Sequence, residues 1–179
     1  MQRRTAVKQL LVIAGGVMVL PACMQKEDKP SITLKNLQLS GSDEKLLAEI
    51  AGTIIPTTDT PGAKDVYTHL YTLKMVDDCS EPEQQDEFVK GLKSVNELAK
   101  NRFGKGFIES SADQRASIIG DLENKKVDDK NIQSFYSIMK KHTVKGYMTS
   151  QYVMTKQIVY QLVPGRFHGS YPITQKATA

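Results

Sequence analysis

Across residues 42–163 apolar side chains recur every three or four positions, and no run alternates cleanly over four or more residues. That period belongs to helices with one buried face, not to a half-buried sheet. The sequence therefore predicts an all-α fold: a single compact domain of five to six helices joined by short loops. Ser42 reads as the N-cap of a first helix, with Leu46, Leu47, Ile50, Ala51 and Ile54 on one face. Ile55-Pro56 stops it, because the residue before a proline is pushed out of the α region. Residues 57–62 form a turn in which Pro61 fixes φ and Gly62 is expected to take a positive φ. A second helix carries Val66, Leu70, Leu73 and Val76. A third starts at Pro82, carries Phe88, Leu92, Val95, Ala99 and Phe103, and stops at Gly104. Ser111 and Gln114 form a capping-box pattern ahead of Ile118, Ile119 and Leu122. Asp128-Asp129 precede a fifth helix with Ile132, Phe135, Tyr136, Met139 and Thr143. A last segment, residues 150–163, carries Tyr152, Val153, Ile158, Val159 and Leu162 ahead of Pro164-Gly165.

Residues 1–22 follow a different rule. Arg3, Arg4 and Lys8 give a basic start, and residues 10–20 are an apolar stretch too short for a membrane span, which needs about 20 residues. This is the pattern of a cleavable export signal. Arg3-Arg4 is a twin-arginine pair, the mark of a route that carries folded cargo. Ala6-Val7 stands where such signals usually carry Phe-Leu, which leaves the general secretory route open. Leu20-Pro21-Ala22-Cys23 resembles a lipobox, whose cysteine takes a diacylglyceryl group before cleavage. The expected product is exported and held by lipid on Cys23 to a bacterial membrane, facing the periplasm or the cell surface. Residues 23–41 read as a tether, in which Ile32, Leu34, Leu37 and Leu39 suit a short strand or an extended packing segment. Residues 42–179 form the helical domain.

With Cys23 lipidated, Cys79 has no partner in the chain, so a disulfide-stapled fold is excluded and Cys79 reads as a small buried hydrophobe. The net charge of +4 is misleading, because three of the basic residues lie in the leader. Without them the charge is near neutral, which gives no basis for nucleic-acid binding. Catalytic patterns are missing from the sequence. There is no Gly-x-Gly-x-x-Gly, no Cys-x-x-Cys-His and no Gly-x-Ser-x-Gly. His69, His142 and His168 lack metal-ligand spacing. Asp77-Asp78 and Asp128-Asp129 are neighbours that point to different helix faces, and read as solvated helix ends. No catalytic, cofactor-binding or metal-binding residue is assigned to this chain, which suits a binding partner better than an enzyme.

Three segments together resemble a known family. Ile54-Ile55-Pro56-Thr57-Thr58-Asp59-Thr60-Pro61-Gly62-Ala63 resembles the opening signature of gluconate 2-dehydrogenase subunit 3 family proteins. Phe88-Val89-Lys90-Gly91-Leu92 fits the family's next helix. Thr143-Val144-Lys145-Gly146-Tyr147-Met148-Thr149-Ser150, followed by Pro164-Gly165-Arg166-Phe167-His168-Gly169, resembles its C-terminal pattern. The resemblance implies the small, non-catalytic subunit of an exported dehydrogenase that oxidises sugars, sugar acids or glycosides. Its partner would be a large subunit of the glucose-methanol-choline (GMC) type holding FAD, with a haem-bearing cytochrome c as electron acceptor. The small subunit would aid maturation and carry the export signal for both. Ser170 stands where many relatives carry a cysteine, so the disulfide with Cys79 that the resemblance would suggest is not available. The residues expected to face a partner are Pro56, Asp59, Pro61, Gly62, Gly146, Tyr147, Pro164 and Gly165. The rival expectation is a stand-alone helical cell-envelope lipoprotein that binds a ligand or protein.

Overall fold

A glycine lets two long helices approach closely. The computed structural model describes residues 28–158. It contains α1 (Gly41–Ile54), α2 (Thr68–Cys79), α3 (Pro82–Phe103), α4 (Ala112–Glu123), α5 (Lys130–Met148) and a π-helical turn (Val153–Gln157), with no strand among the described residues. The all-α expectation holds. Helices α3 and α5 run antiparallel and cross at Gly91, where a Cβ would lie 2.3 Å from Phe135 Cβ and 2.6 Å from the Asn131 carbonyl oxygen. The bare backbone lets the rings of Phe88 and Phe135 meet, with centroids 4.9 Å apart. Leu47 and Ile50 of α1, Leu73 of α2 and Met139 of α5 close the same fully buried core. Phe107, in the loop before α4, is also fully buried, and its N–H donates to Asn96 Oδ1 at 2.9 Å.

Local signals end the helices. Gly104 takes φ +71 and returns its N–H to the Lys100 carbonyl at 2.8 Å, a left-handed stop that suits glycine. Ser111 and Gln114 form the predicted capping box. Asp129 accepts from the N–H groups of Asn131 and Ile132 at 2.8 and 3.1 Å.

Several local expectations are corrected. Ser40, not Ser42, caps α1: its Oγ accepts from Asp43 N–H at 3.2 Å, and the Asp43 carboxylate accepts from Ser40 N–H at 3.0 Å. This reciprocal box wins because it satisfies two orphan donors, while Ser42 N–H is already bound to the Asp28 carboxylate at 2.6 Å. Val66 lies in a turn, and α2 begins at Thr68 after Tyr67 in the left-handed region at φ 56. The segment after Ser150 widens into a π-helical turn (Val153–Gln157) capped by the extended Ile158, and its remaining residues lie outside those described. Cys79 is exposed at the end of α2, not buried, because helix α2 turns its Leu73 and Val76 face inward and leaves its last residue at the rim.

Asp77 is the largest departure. It is buried, not solvated at a helix end. Its carboxylate accepts from the N–H groups of Lys35, Asn36 and Leu37 at 2.8, 2.7 and 2.9 Å. Burial alone would raise its pKa, but those three donors and nearby Lys74 hold it below the ordinary value near 3.8. Gln85 caps the same corner, donating to the carbonyls of Val76, Asp77 and Ser80. The clamp fixes residues 28–40 as a strap along the bundle. Leu37 is buried, and Ile32, Leu34 and Leu39 pack on the core. Extended packing, not a strand, is what these residues form.

The crossing and the clamp give separate tests. Gly91→Ala should destabilise by about 2 kcal/mol in urea unfolding, since the helices must part. Gly120, where a Cβ would meet nothing within 4 Å, is the control. Gly120→Ala should stabilise by about 0.5–1 kcal/mol. Because the folded pKa of Asp77 is depressed, its stabilisation is full above the unfolded value and is lost as pH falls below about 4. Asp77→Asn should lower stability at neutral pH and flatten that acid limb, read as unfolding midpoint against pH.

A candidate partner interface at the α1–α2 loop

Two of the resembling segments meet in space although they are far apart in sequence. The Tyr147 hydroxyl, near the end of α5, donates to the Pro61 carbonyl at 2.9 Å. One residue earlier, α5 reaches α2 at Gly146, where a Cβ would sit 2.8 Å from Tyr71 Cδ1. Gly146 therefore brings the end of α5 close enough for Tyr147 to hold the loop.

The loop is also tied from within. Asp65 Oδ2 accepts from Thr57 Oγ1 at 2.5 Å and from Gly62 N–H at 2.8 Å. The Thr57 hydroxyl and then the Gly62 N–H keep the Asp65 carboxyl below its ordinary pKa. Ala63 N–H returns to the Ile55 carbonyl at 2.9 Å. Gly62 does not take the expected positive φ. It is needed for space, since a Cβ there would lie 2.6 Å from Thr57 N and 2.8 Å from Ile55 O. At the foot of the loop Glu49 of α1 pairs with Lys64 and with Arg115 of α4. Burial pushes the Glu49 pKa up, but Lys64 and Arg115 outweigh it and hold the group ionised below its ordinary value. A cleft of about 320 Å³ opens beside this triad, with Pro56 and Thr57 on its rim.

The expected interface residues divide by exposure. Pro56 at the foot of the loop and Asp59 further along it are exposed, Pro61 and Tyr147 are half-buried, and Gly62 and Gly146 are buried. The buried pair shapes the surface, and only the first pair is free to touch a partner. Pro164, Gly165, Cys23, Arg3 and Arg4 lie outside the described residues. Tyr67, two residues beyond Asp65, is 65% exposed, as large a ring as the surface carries. Its left-handed backbone costs about 1–2 kcal/mol for a non-glycine residue. The sequence gives no sign of that conformation. Asp65 was also missed, and its one signal is an acidic residue three places beyond Gly62, at hydrogen-bonding distance from a turn.

Chemistry is sparse among the described residues. No group of three His, Cys, Asp or Glu side chains is placed to hold a metal. His69 is buried in α2, and His142 on α5 packs edge-on to Tyr71 at 6.2 Å. Burial lowers both histidine pKa values and favours the neutral rings. No helix among the described residues is long and apolar enough to cross a membrane. The arrangement holds the α1–α2 loop at the surface through the Tyr147 and Asp65 hydrogen bonds. Tyr147→Phe should cost about 1 kcal/mol. It should also speed amide exchange at Gly62 and Ala63 while leaving the α3–α5 core protected.

Neither a curated protein nor a solved structure matches the chain. The family described as gluconate 2-dehydrogenase subunit 3, by that description a subunit of a dehydrogenase complex, matches residues 42–165. That span runs from the first turn of α1, through the loop held by Tyr147, past the end of the described residues, and covers most of the sequence. The chain belongs to the gluconate 2-dehydrogenase subunit 3 family.

Proposed function

We propose that this chain is the non-catalytic small subunit of an exported FAD-dependent dehydrogenase acting on a sugar, sugar acid or glycoside. Family membership carries the reading. An exposed loop tied by Tyr147 and Asp65 supports it. In this reading the large subunit, of the GMC type, holds FAD and the catalytic residues, and a cytochrome c takes the electrons. The small subunit aids maturation of the flavoprotein, exports it through Arg3-Arg4 and attaches it to the membrane through lipid on Cys23. A folded, FAD-loaded partner needs a route that carries folded cargo, which is why one twin-arginine leader can serve two chains. The exposed side of the loop at Pro56 and Asp59 is the contact surface.

The test expresses the full, tagged chain in its native host. Affinity capture of the small subunit should bring down a yellow complex with dehydrogenase activity. A clean, colourless monomer from such cells would sink the proposal. Asp59→Arg, at the exposed tip, should weaken capture by about tenfold with the circular dichroism spectrum unchanged.

A further inference from the structure

The strap fixes where a lipid anchor would enter the body. Its first described residue, Asp28, is seated on the start of α1: its carbonyl accepts from Gly41 N–H at 2.6 Å, and its carboxylate accepts from Ser42 N–H at 2.6 Å. Ser31 reinforces the seat, donating its N–H and Oγ to the Glu44 carboxylate at 2.6 and 2.8 Å. The fit is close, since a Cβ on Gly41 would lie 2.9 Å from the Lys29 carbonyl. Between Cys23 and the seated Asp28 the sequence has only residues 24–27. Five residue steps reach at most about 18 Å when fully extended and average about 12 Å as a flexible chain.

The candidate partner loop lies at the other end of α1. That helix has 14 residues, so its ends stand about 20 Å apart, further than the average reach of the linker. Beside the start of α1 is a corner formed by the α3–α4 connection, where Lys105 and Ile108 share a cleft with Ser42 and Leu46. Ile108 is 39% exposed, and Lys105 forms no ion pair among the described residues. Charge at this corner is mixed, because Asp43 and Glu109 line the same cleft. The short leash, not electrostatic attraction, is what would orient the body.

We propose that the start of α1 and the adjoining corner at Lys105 and Ile108 face the lipid bilayer, so that the loop held by Tyr147 points away from it. This rests on the lipid-anchor reading above. It places the docking surface for a second subunit on the far side of the bundle, and makes α1 the spacer between membrane and partner.

The test uses the full, lipidated chain in vesicles of phosphatidylethanolamine and phosphatidylglycerol. With the exposed Cys79 replaced (Cys79→Ser), an environment-sensitive fluorophore is attached in turn to Ile108→Cys, Lys105→Cys and Asp59→Cys. Quencher-bearing lipids should extinguish the labels at 108 and 105 and leave the label at 59 bright. Equal quenching at all three sites, or quenching at 59 alone, in protein that floats with the vesicles would overturn the orientation while leaving the anchor intact. Protein that fails to float would overturn the anchor, and the orientation with it. Inserting a long Gly-Ser stretch after Met24 should erase the contrast, and a contrast that survives would remove the leash as its cause.

Discussion

The approach of α3 to α5 at Gly91 is the constraint on which the remaining packing depends. A single missing Cβ lets two long helices come close enough for the rings of Phe88 and Phe135 to meet at a tilt in one core. Once those helices are set, α2 finds its place along α5 through a second bare backbone position, Gly146 against Tyr71. Both glycines cost helix propensity locally, roughly 1 kcal/mol each against alanine, and both are offset by the apolar burial they permit. The end of α5 then falls within reach of the α1–α2 loop, and Tyr147 closes it.

Much of the bundle was legible because its helices obey one period and carry ordinary punctuation. Pro82, Gly104, the Ser111-Gln114 pair and Asp129 each act as the local chemistry of the sequence suggests. What was not legible depends on contacts between residues far apart in the chain. Asp77 sits on a helix like any surface carboxylate, and only folding brings three backbone donors from residues 35–37 to it. Phe107 looks like a loop residue, yet it fills the core from outside any helix. Tyr67 adopts a left-handed backbone that no sequence pattern demands of a tyrosine.

The candidate interface was partly legible for a related reason. The prolines and glycines around residue 60 and the Gly146-Tyr147 pair stood out in the sequence, but their roles differ. Gly62 and Gly146 are spatial necessities, as Tyr147 is a tie. Pro56 and Asp59 are what remains on the outside. A family signature here mixes residues that build a surface with residues that present it, and only the folded arrangement separates the two.

The antiparallel pairing of α3 with α5 also bears on the order in which the protein can be completed. Phe88 emerges from the ribosome well before Phe135, and α5 is the last α-helix described. At a synthesis rate of about 5–20 residues per second, the apolar face of α3 waits several seconds for its partner. Throughout that interval residues 1–22 have already been made, while the body behind them is still open. Under the proposed export reading, a machinery that accepts only finished cargo would have to ignore residues 1–22 until α5 has closed, and one that threads unfolded chains would have to seize them sooner.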